Sequence, residues 1–377
     1  MDIEIEVSHL AQATNRMQGA LSETSLPYVS MLAEGSNLQF SATDRSVAVF
    51  SASQCNVRQA GEVAVPARLL CSIARQLPAG RIRLQKQRTS LQLSSLEMEL
   101  QMRIPLLEGL SWKEAPNVEE TQATCRLSST KLSFLLGQVQ GCLSQDAQQN
   151  YAAVAYFHRR GTSGLRVVGT DGFRLSYCEI AAEMSPSFLQ AAGFCLSKRG
   201  VSELLRMCHE VDGDIELILF ESGTKLLAKS GEYHLFFSLS AVEYPNYLGV
   251  LPKGPSSQVT LSKNELLQSI KRILLVSDKS NAVVLSFSRN QFTLQAKSAD
   301  ASEGKETVAI EFDTEKETSL VINGKFLQDA LSILSDARVV VAFQNEDTPI
   351  VLSEAEASGS SMYESKHLLV PIKESAA

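Results

Sequence analysis

The chain has 377 residues, a formal net charge of −7, and 44% hydrophobic, 20% charged and 6% aromatic residues. That length asks for two or three domains, and that apolar fraction supports real cores, which excludes a disordered chain. The acidic balance excludes a protein that coats nucleic acid with its whole surface, but not one that gathers its basic residues in one place.

Taken in chain order, the first predicted strand is Ile3–Val7, acidic and alternating, the opposite of a secretory signal. Ser8 then opens an amphipathic helix through Leu10, Met17 and Leu21. Leu38–Ala42 alternates as a half-buried strand and closes on Ala42-Thr43-Asp44. A second helix runs through Val65–Leu70, followed by strands at Arg81–Gln85 and Leu91–Leu93 and an acidic linker from Ala115 to Glu120. The pattern then starts again. Strand Ala123–Leu127 leads through Ser129 into a helix carrying Leu132, Leu136, Val139 and Leu143. Gly169-Thr170-Asp171 closes a strand 127 residues after Asp44, and a second helix starts near Leu196–Val201. After the linker Gly254–Ser257 comes a third round. It has strand Val259–Leu261, a helix from Ser262 through Leu266, Ile270 and Leu274, strand Phe292–Ala296, and a second helix at Ile322–Leu327.

The spacing between first and second helices is 60, 69 and 61 residues, measured Leu10 to Leu70, Leu132 to Val201 and Leu266 to Leu327. A serine stands before each first helix as an expected N-cap, and Glu265 follows Ser262 at capping-box distance. Order, spacing and caps together give an α+β chain of three similar units with a period of about 126 residues. The expected units are 1–122, 123–254 and 255–377.

Seven scattered cysteines, none in a CxxC pair and none after Cys208, read as reduced core thiols of a cytoplasmic protein. No stretch approaches the roughly 18 uninterrupted apolar residues of a spanning helix, so no membrane partner is expected. The five histidines, His9, His158, His209, His234 and His367, form no metal-ligand spacing. No nucleophile elbow or Walker loop is present. Asp171-Gly172 reads as a tight turn and Cys178 as core. No cofactor, metal or catalytic residue is therefore assigned. The helices of all three units carry cations, among them Arg68, Arg75, Lys198, Arg199, Arg206, Lys263 and Lys325, while acids gather in loops. Helices lining one surface toward a polyanion would make sequence-blind phosphate contacts.

Several stretches resemble the bacterial DNA polymerase III β sliding-clamp family. These are Val168-Gly169-Thr170-Asp171-Gly172-Phe173-Arg174-Leu175, Tyr244-Pro245-Asn246-Tyr247-Leu248-Gly249-Val250-Leu251-Pro252-Lys253, and Leu368-Leu369-Val370-Pro371-Ile372-Lys373. Leu26-Pro27 and Ala42-Thr43-Asp44 fit the same pattern in the first unit. The resemblance runs along essentially the whole chain.

It implies three DNA-clamp domains per chain, with sheets outside and two helices each inside, and a head-to-tail homodimer closing a six-domain ring around duplex DNA. The implied function is a processivity clamp, not an enzyme. Its partners would be double-stranded DNA, the polymerase III alpha subunit, the clamp loader, and other polymerases and repair proteins bearing a short linear motif. The competing reading is a three-domain α+β enzyme with an unrecognised active site. The implied peptide cleft is lined by Ala152, Thr170, Gly172, Phe173, Arg174, Leu175, Pro245, Val250, Leu368, Val370, Pro371 and Ile372. The implied DNA-facing set is Arg68, Arg75, Gln149, Tyr151, Lys198, Arg199, Arg206 and Lys263. The implied dimer contact joins Leu275 and Val276 to Leu100 and Met102 of the other copy. Phe173, Gly249 and Ala152 depart from the histidine, arginine and leucine frequent in the family at those places.

Overall fold

A computed structural model describes residues 1–21, 27–44, 46–118, 123–145, 150–188, 193–253, 256–314, 317–355 and 363–373. The expected round of elements recurs three times along the chain: a strand, a helix, four or five strands, a second helix and three strands. The first helices are α1 (Val7–Met17), α3 (Ser129–Gln140) and α5 (Lys263–Leu274). The second helices are α2 (Ala67–Gln76), α4 (Lys198–Glu210) and α6 (Gly324–Ile333).

The chain divides into two compact units, Met1–Leu132 with Glu183–Gln190 and Ser202–Ser240, and Ser133–Ala182 with Ala191–Val201 and Ala241–Ala377. The middle third is thus shared out, because each of its sheets is extended by strands from another third. In the first unit a nine-stranded sheet runs Glu183–Met184, Ala123–Ser128, Asp214–Phe220, Lys225–Ser230, Tyr233–Ser238, Val47–Gln54, Asn37–Thr43, Tyr28–Glu34, Gly61–Pro66. The join is the antiparallel pairing of Tyr233–Phe237 with Val47–Ser51. A five-stranded sheet completes this unit: Asn56–Gln59, Asp2–Glu6, Arg81–Lys86, Ser90–Ser95, Gln101–Pro105.

In the second unit an eight-stranded sheet runs Phe194–Ser197, Val154–Arg160, Gly164–Thr170, Arg174–Ala181, Tyr363–Leu369, Ile350–Glu354, Arg338–Phe343, Ser257–Ser262. Its join pairs Arg174–Ile180 with Tyr363–Leu369. A four-stranded sheet runs Glu303–Ala309, Gln291–Lys297, Ala282–Ser288, Thr318–Asn323.

The helices bury one stripe at helical spacing: Leu10, Ala13, Thr14 and Met17 on α1, Ala67, Leu70, Cys71 and Ala74 on α2, and Leu266, Ser269, Ile270 and Ile273 on α5. Small residues in each stripe let helices approach their partners closely. Gly324 at the start of α6 is required: a Cβ there would meet Val283 Cγ2 at 2.7 Å.

The helix starts share one device. The first N–H of α1, α3 and α5 donates to the carbonyls of Gly80, Gly213 and Ala337, at 2.9, 2.7 and 2.9 Å, each shortly after a second helix. The expected serine caps fare unequally beside it. Ser262 Oγ accepts from Glu265 N as expected, at 3.4 Å. In α3 the cap is Ser128, one residue before the expected Ser129, accepting from Lys131 N at 3.3 Å. Ser8 caps nothing: α1 starts at Val7, and its N-cap position is Glu6, with no side-chain cap.

All seven cysteines are free thiols, six of them buried and Cys55 half-buried. Among the described residues no helix is long and apolar enough to cross a membrane.

Candidate functional site

The segment Thr170–Arg174 is a hairpin turn that staples itself. Thr170 Oγ1 donates to the Arg174 carbonyl at 2.7 Å and accepts from Gly172 N at 3.1 Å. Asp171 Oδ1 accepts from Phe173 N and Arg174 N, both at 3.0 Å. Gly172 takes φ +88, which a side chain would resist. The rigid turn throws Phe173 outward, 65% exposed, and folds Arg174 inward.

Arg174 is then fully engaged. Its guanidinium pairs with Asp171 at 2.9 Å and with Asp329 on α6 at 3.0 Å, donates to the Gly141 carbonyl, and lies 4.2 Å over the Phe326 ring. Burial disfavours its charge, yet its neighbours, Cys142, Asp329 and Asp171 foremost, hold its pKa above the usual arginine value.

The segment 244–250 is anchored by two tyrosines. Tyr244 stacks on Tyr156 at 4.8 Å. Tyr247 is buried, its hydroxyl 2.8 Å from His158 Nε2 and 3.4 Å from Arg166 Nη1. Burial pushes the His158 pKa below its ordinary value. The single 3-10 turn Tyr247–Gly249 then leaves Leu248 and Val250 in solvent. The chain's last described residues complete the frame. Val370 N donates to the Phe173 carbonyl at 3.0 Å and Ile372 N to the Val321 carbonyl at 2.7 Å, leaving both side chains exposed.

Together these segments enclose a cavity of about 300 Å³. Its walls are Tyr151, Thr170, Gly172, Arg174, Leu175, Pro245, Asn246, Tyr247, Val250, Pro349, Leu368 and Val370. Large hydrophobic side chains seldom remain exposed together without a partner. A concave apolar pocket with backbone groups at its edge suits the side-chain anchors of an extended peptide.

Eight of the expected cleft residues, Thr170, Gly172, Arg174, Leu175, Pro245, Val250, Leu368 and Val370, stand on this wall. Phe173 and Ile372 are exposed beside it, and Pro371 is buried. Ala152 is a correction: it is 1% exposed and faces the core. The short helix Asn150–Ala153 instead presents its neighbour Tyr151, expected on the DNA side, to the cavity. Pro349 was not foreseen, because it sits in a loop with no motif of its own. Tyr247 and Asn246 lie within the quoted Tyr-Pro-Asn-Tyr stretch, which was the signal for them. Gly249 has open space where a Cβ would stand.

The other expected residues lie elsewhere. Arg68 and Arg75 are exposed on α2. Lys198 Nζ and Lys263 Nζ donate to the carbonyls of Leu143 and Leu334, at 2.6 and 2.9 Å, so each serves a backbone carbonyl of its own unit, Leu334 being the C-cap of α6. Arg206 pairs with Glu203 and donates to the carbonyls of Asn15 and Arg16. Arg199 is half-buried, and Gln149 lies outside the described residues. Leu275 is 84% exposed, whereas Val276 packs against its own core. Leu100 and Met102 are half-buried, but Leu96 and Met98 just before them are 42% and 53% exposed.

Comparison with known proteins identifies the family and the fold. The family model for the DNA polymerase III beta subunit, N-terminal domain, matches residues 1–118, and that for its C-terminal domain matches residues 249–366. The chain is 24% identical over 344 residues to a beta sliding clamp of Pseudomonas putida, covering 89% of this chain and 90% of that one. It is 24% identical over 365 residues to that of Chlamydia muridarum, covering 95% and 97%. A crystal structure of the DNA polymerase sliding clamp from Pseudomonas aeruginosa superposes with a TM-score of 0.89 at 22% identity, over 99% of this chain and 100% of that one. The C. crescentus beta sliding clamp, solved with polyethylene glycol at its beta-motif tethering region, gives 0.87 at 21% identity, over 99% of each chain. The two domain models belong to one protein and together span more than half of this sequence, so the chain belongs to the family of the bacterial DNA polymerase III beta subunit, the beta sliding clamps.

Proposed function

We propose that the chain works as a sliding clamp by closing, with a second copy, a six-domain ring around duplex DNA, and that it does so without catalysis. The observation that carries this reading is a pair of open sheet edges. Gln101–Pro105 ends the five-stranded sheet, and Glu303–Ala309 ends the four-stranded sheet. Exposed Leu96 and Met98 stand just before the first, and exposed Leu275 shares the second unit with the other. Unpaired edges with apolar neighbours ask to be covered. Head-to-tail pairing of the two would cover both, and a heterologous contact that closes on itself makes a ring. Three domains per copy, 1–122, 123–254 and 255–377, follow the threefold round of elements.

In this reading the pocket beneath Thr170–Arg174 takes the linear motif of the polymerase alpha subunit, the loader and repair proteins. The ring holds them near the template by linkage, which raises effective concentration without tight contact. Weak contacts suit sliding. Arg68 and Arg75 supply exposed charge, while Lys198, Arg206 and Lys263 also hold backbone carbonyls. The test is topological. Loaded onto nicked circular DNA, the protein should remain bound in high salt and be released when the circle is linearised. Equal retention on both forms would overturn the ring.

A further inference from the structure

Tyr247 stands in the cavity wall, but its hydroxyl is held at a distance from the cavity. Thr170 pairs with Leu175 and Leu175 with Leu368, and all three line the cavity. Arg166 pairs with Glu179 and Glu179 with Glu364, four residues further along the same sheet face, roughly 13 Å away. Arg166 is 5% exposed and does not line the cavity. Its guanidinium grips Glu179 by two N–H groups, Nε at 2.8 Å and Nη2 at 2.7 Å, and lies 4.2 Å over the Tyr177 ring. The planar fork then fixes where its remaining donor points. That donor, Nη1, lies 3.4 Å from the Tyr247 hydroxyl. His158 takes the other side. Its Nδ1 lies 3.2 Å from the Arg159 carbonyl, which can only accept, so Nδ1 carries the proton and Nε2 accepts the Tyr247 O–H at 2.8 Å. One donor and one acceptor hold the hydroxyl from both sides.

The turn's own backbone does little to tie it to the sheet. Among the described residues, the N–H groups of Tyr247, Gly249 and Val250 donate to the carbonyls of Pro245, Asn246 and Tyr247, all within the segment. Tyr244 attaches by its ring alone: it stacks on Tyr156, and its buried hydroxyl has no hydrogen-bond partner among the described residues. We propose that Arg166 is a positioning residue of the partner-peptide cleft: through the Tyr247 hydroxyl it fixes the turn that carries Pro245 and Val250 to the wall. The proposal rests on reading the cavity as that cleft. Without the hydroxyl the ring still fills its place, but the turn loses two directional bonds to the sheet. Ordering the wall would then draw on the binding energy of the incoming peptide.

The test is a double-mutant cycle in peptide binding, with the full-length protein and a fluorescent synthetic peptide carrying leucine and phenylalanine anchors. Tyr247→Phe removes the hydroxyl and keeps the ring, and should weaken binding about five-fold, as the loss of a net hydrogen bond does. Arg166→Met should weaken it by at least as much. Added to Tyr247→Phe, Arg166→Met should weaken binding by less than about two-fold more, because its route to the cleft is already gone. A role in stability alone would lower the unfolding temperature of Arg166→Met and leave its effect on binding absent, or equally large in both backgrounds. Either result would overturn the proposal. So would native binding by Tyr247→Phe, the milder variant, even if Arg166→Met failed to fold. Failure of the native protein to bind the peptide would instead overturn the cleft on which the proposal rests.

Discussion

His367 lies buried in the second unit between two hydrogen-bond partners. Its Nε2 faces Gln138 Oε1 at 3.1 Å, and its Nδ1 faces Ser176 Oγ at 2.8 Å. Gln138 Nε2 donates to the Ile333 carbonyl, which fixes the amide with its oxygen toward the ring. Nε2 must then carry the proton, and Nδ1 accepts from the Ser176 hydroxyl. Ser176 in turn sits 3.0 Å from the Cys142 thiol, whose pKa burial pushes up to about 11, so that it stays an S–H donor. The chain of donors is complete only while His367 is neutral, and burial lowers its pKa to about 4. The unfolded chain protonates near 6.5, so between the two values it takes up a proton that the folded protein refuses. Stability from this group is therefore whole above pH 6.5 and is lost as the pH falls toward 4, by up to about 3 kcal/mol. Denaturant titrations from pH 7.5 to 4 should show this loss in the native protein and a shallower one in His367→Gln. Parallel curves would remove His367 from the account.

At the scale of elements, the first helices separate a device read from sequence from one that was invisible there. Ser262 caps α5 by its side chain, so Ser262→Ala should cost about 1 kcal/mol. Ser8 caps nothing, so Ser8→Ala should cost less than about 0.5 kcal/mol. Urea midpoints of the two variants measure the contrast, and equal losses would refute it. Side-chain caps are visible as residue types; the backbone bonds to Gly80, Gly213 and Ala337 leave no mark on composition. The same limit explains the rest of what was and was not legible. Helical stripes and alternating strands gave the starts of all six helices to within two residues, because periodicity is written in side chains, but left the second helices six to nine residues short of their observed ends. The Asp44 and Asp171 turns were legible as Thr-Asp pairs, and both accept backbone N–H groups from the residues that follow. Their third counterpart is Asp300, which accepts from Ser302 N at 3.0 Å, and it escaped notice because alanine precedes it. Its hydrogen bonds, that from Ser298 first, hold its pKa down to about 2. The division of the middle third between two units was not legible either. Strand pairing between thirds depends on edges meeting in space, which no local pattern records.

At the scale of the whole molecule, the question is what covers Leu275. The sequence offered Leu275 and Val276 as one apolar pair, and the fold separates them. Val276 belongs to its own core, beside Gly304, where a Cβ would meet Val276 Cγ2 at 2.7 Å. Truncating Val276 would therefore loosen the unit that holds it, and a changed assembly could not be told from a changed fold. Leu275 carries no such ambiguity, since 84% of it is exposed and little of its own chain depends on it. Burying a leucine in an interface stabilises by about 2 kcal/mol, roughly 30-fold in affinity at each contact, and a two-copy ring has two such contacts. The native protein should sediment near twice 41.1 kDa, about 82 kDa, at micromolar concentration. Leu275→Asp, which adds a charge needing desolvation, should shift the mass toward that of one chain with its thermal unfolding nearly unchanged. A variant that keeps the dimer mass would mean that this leucine lies outside the closing interface.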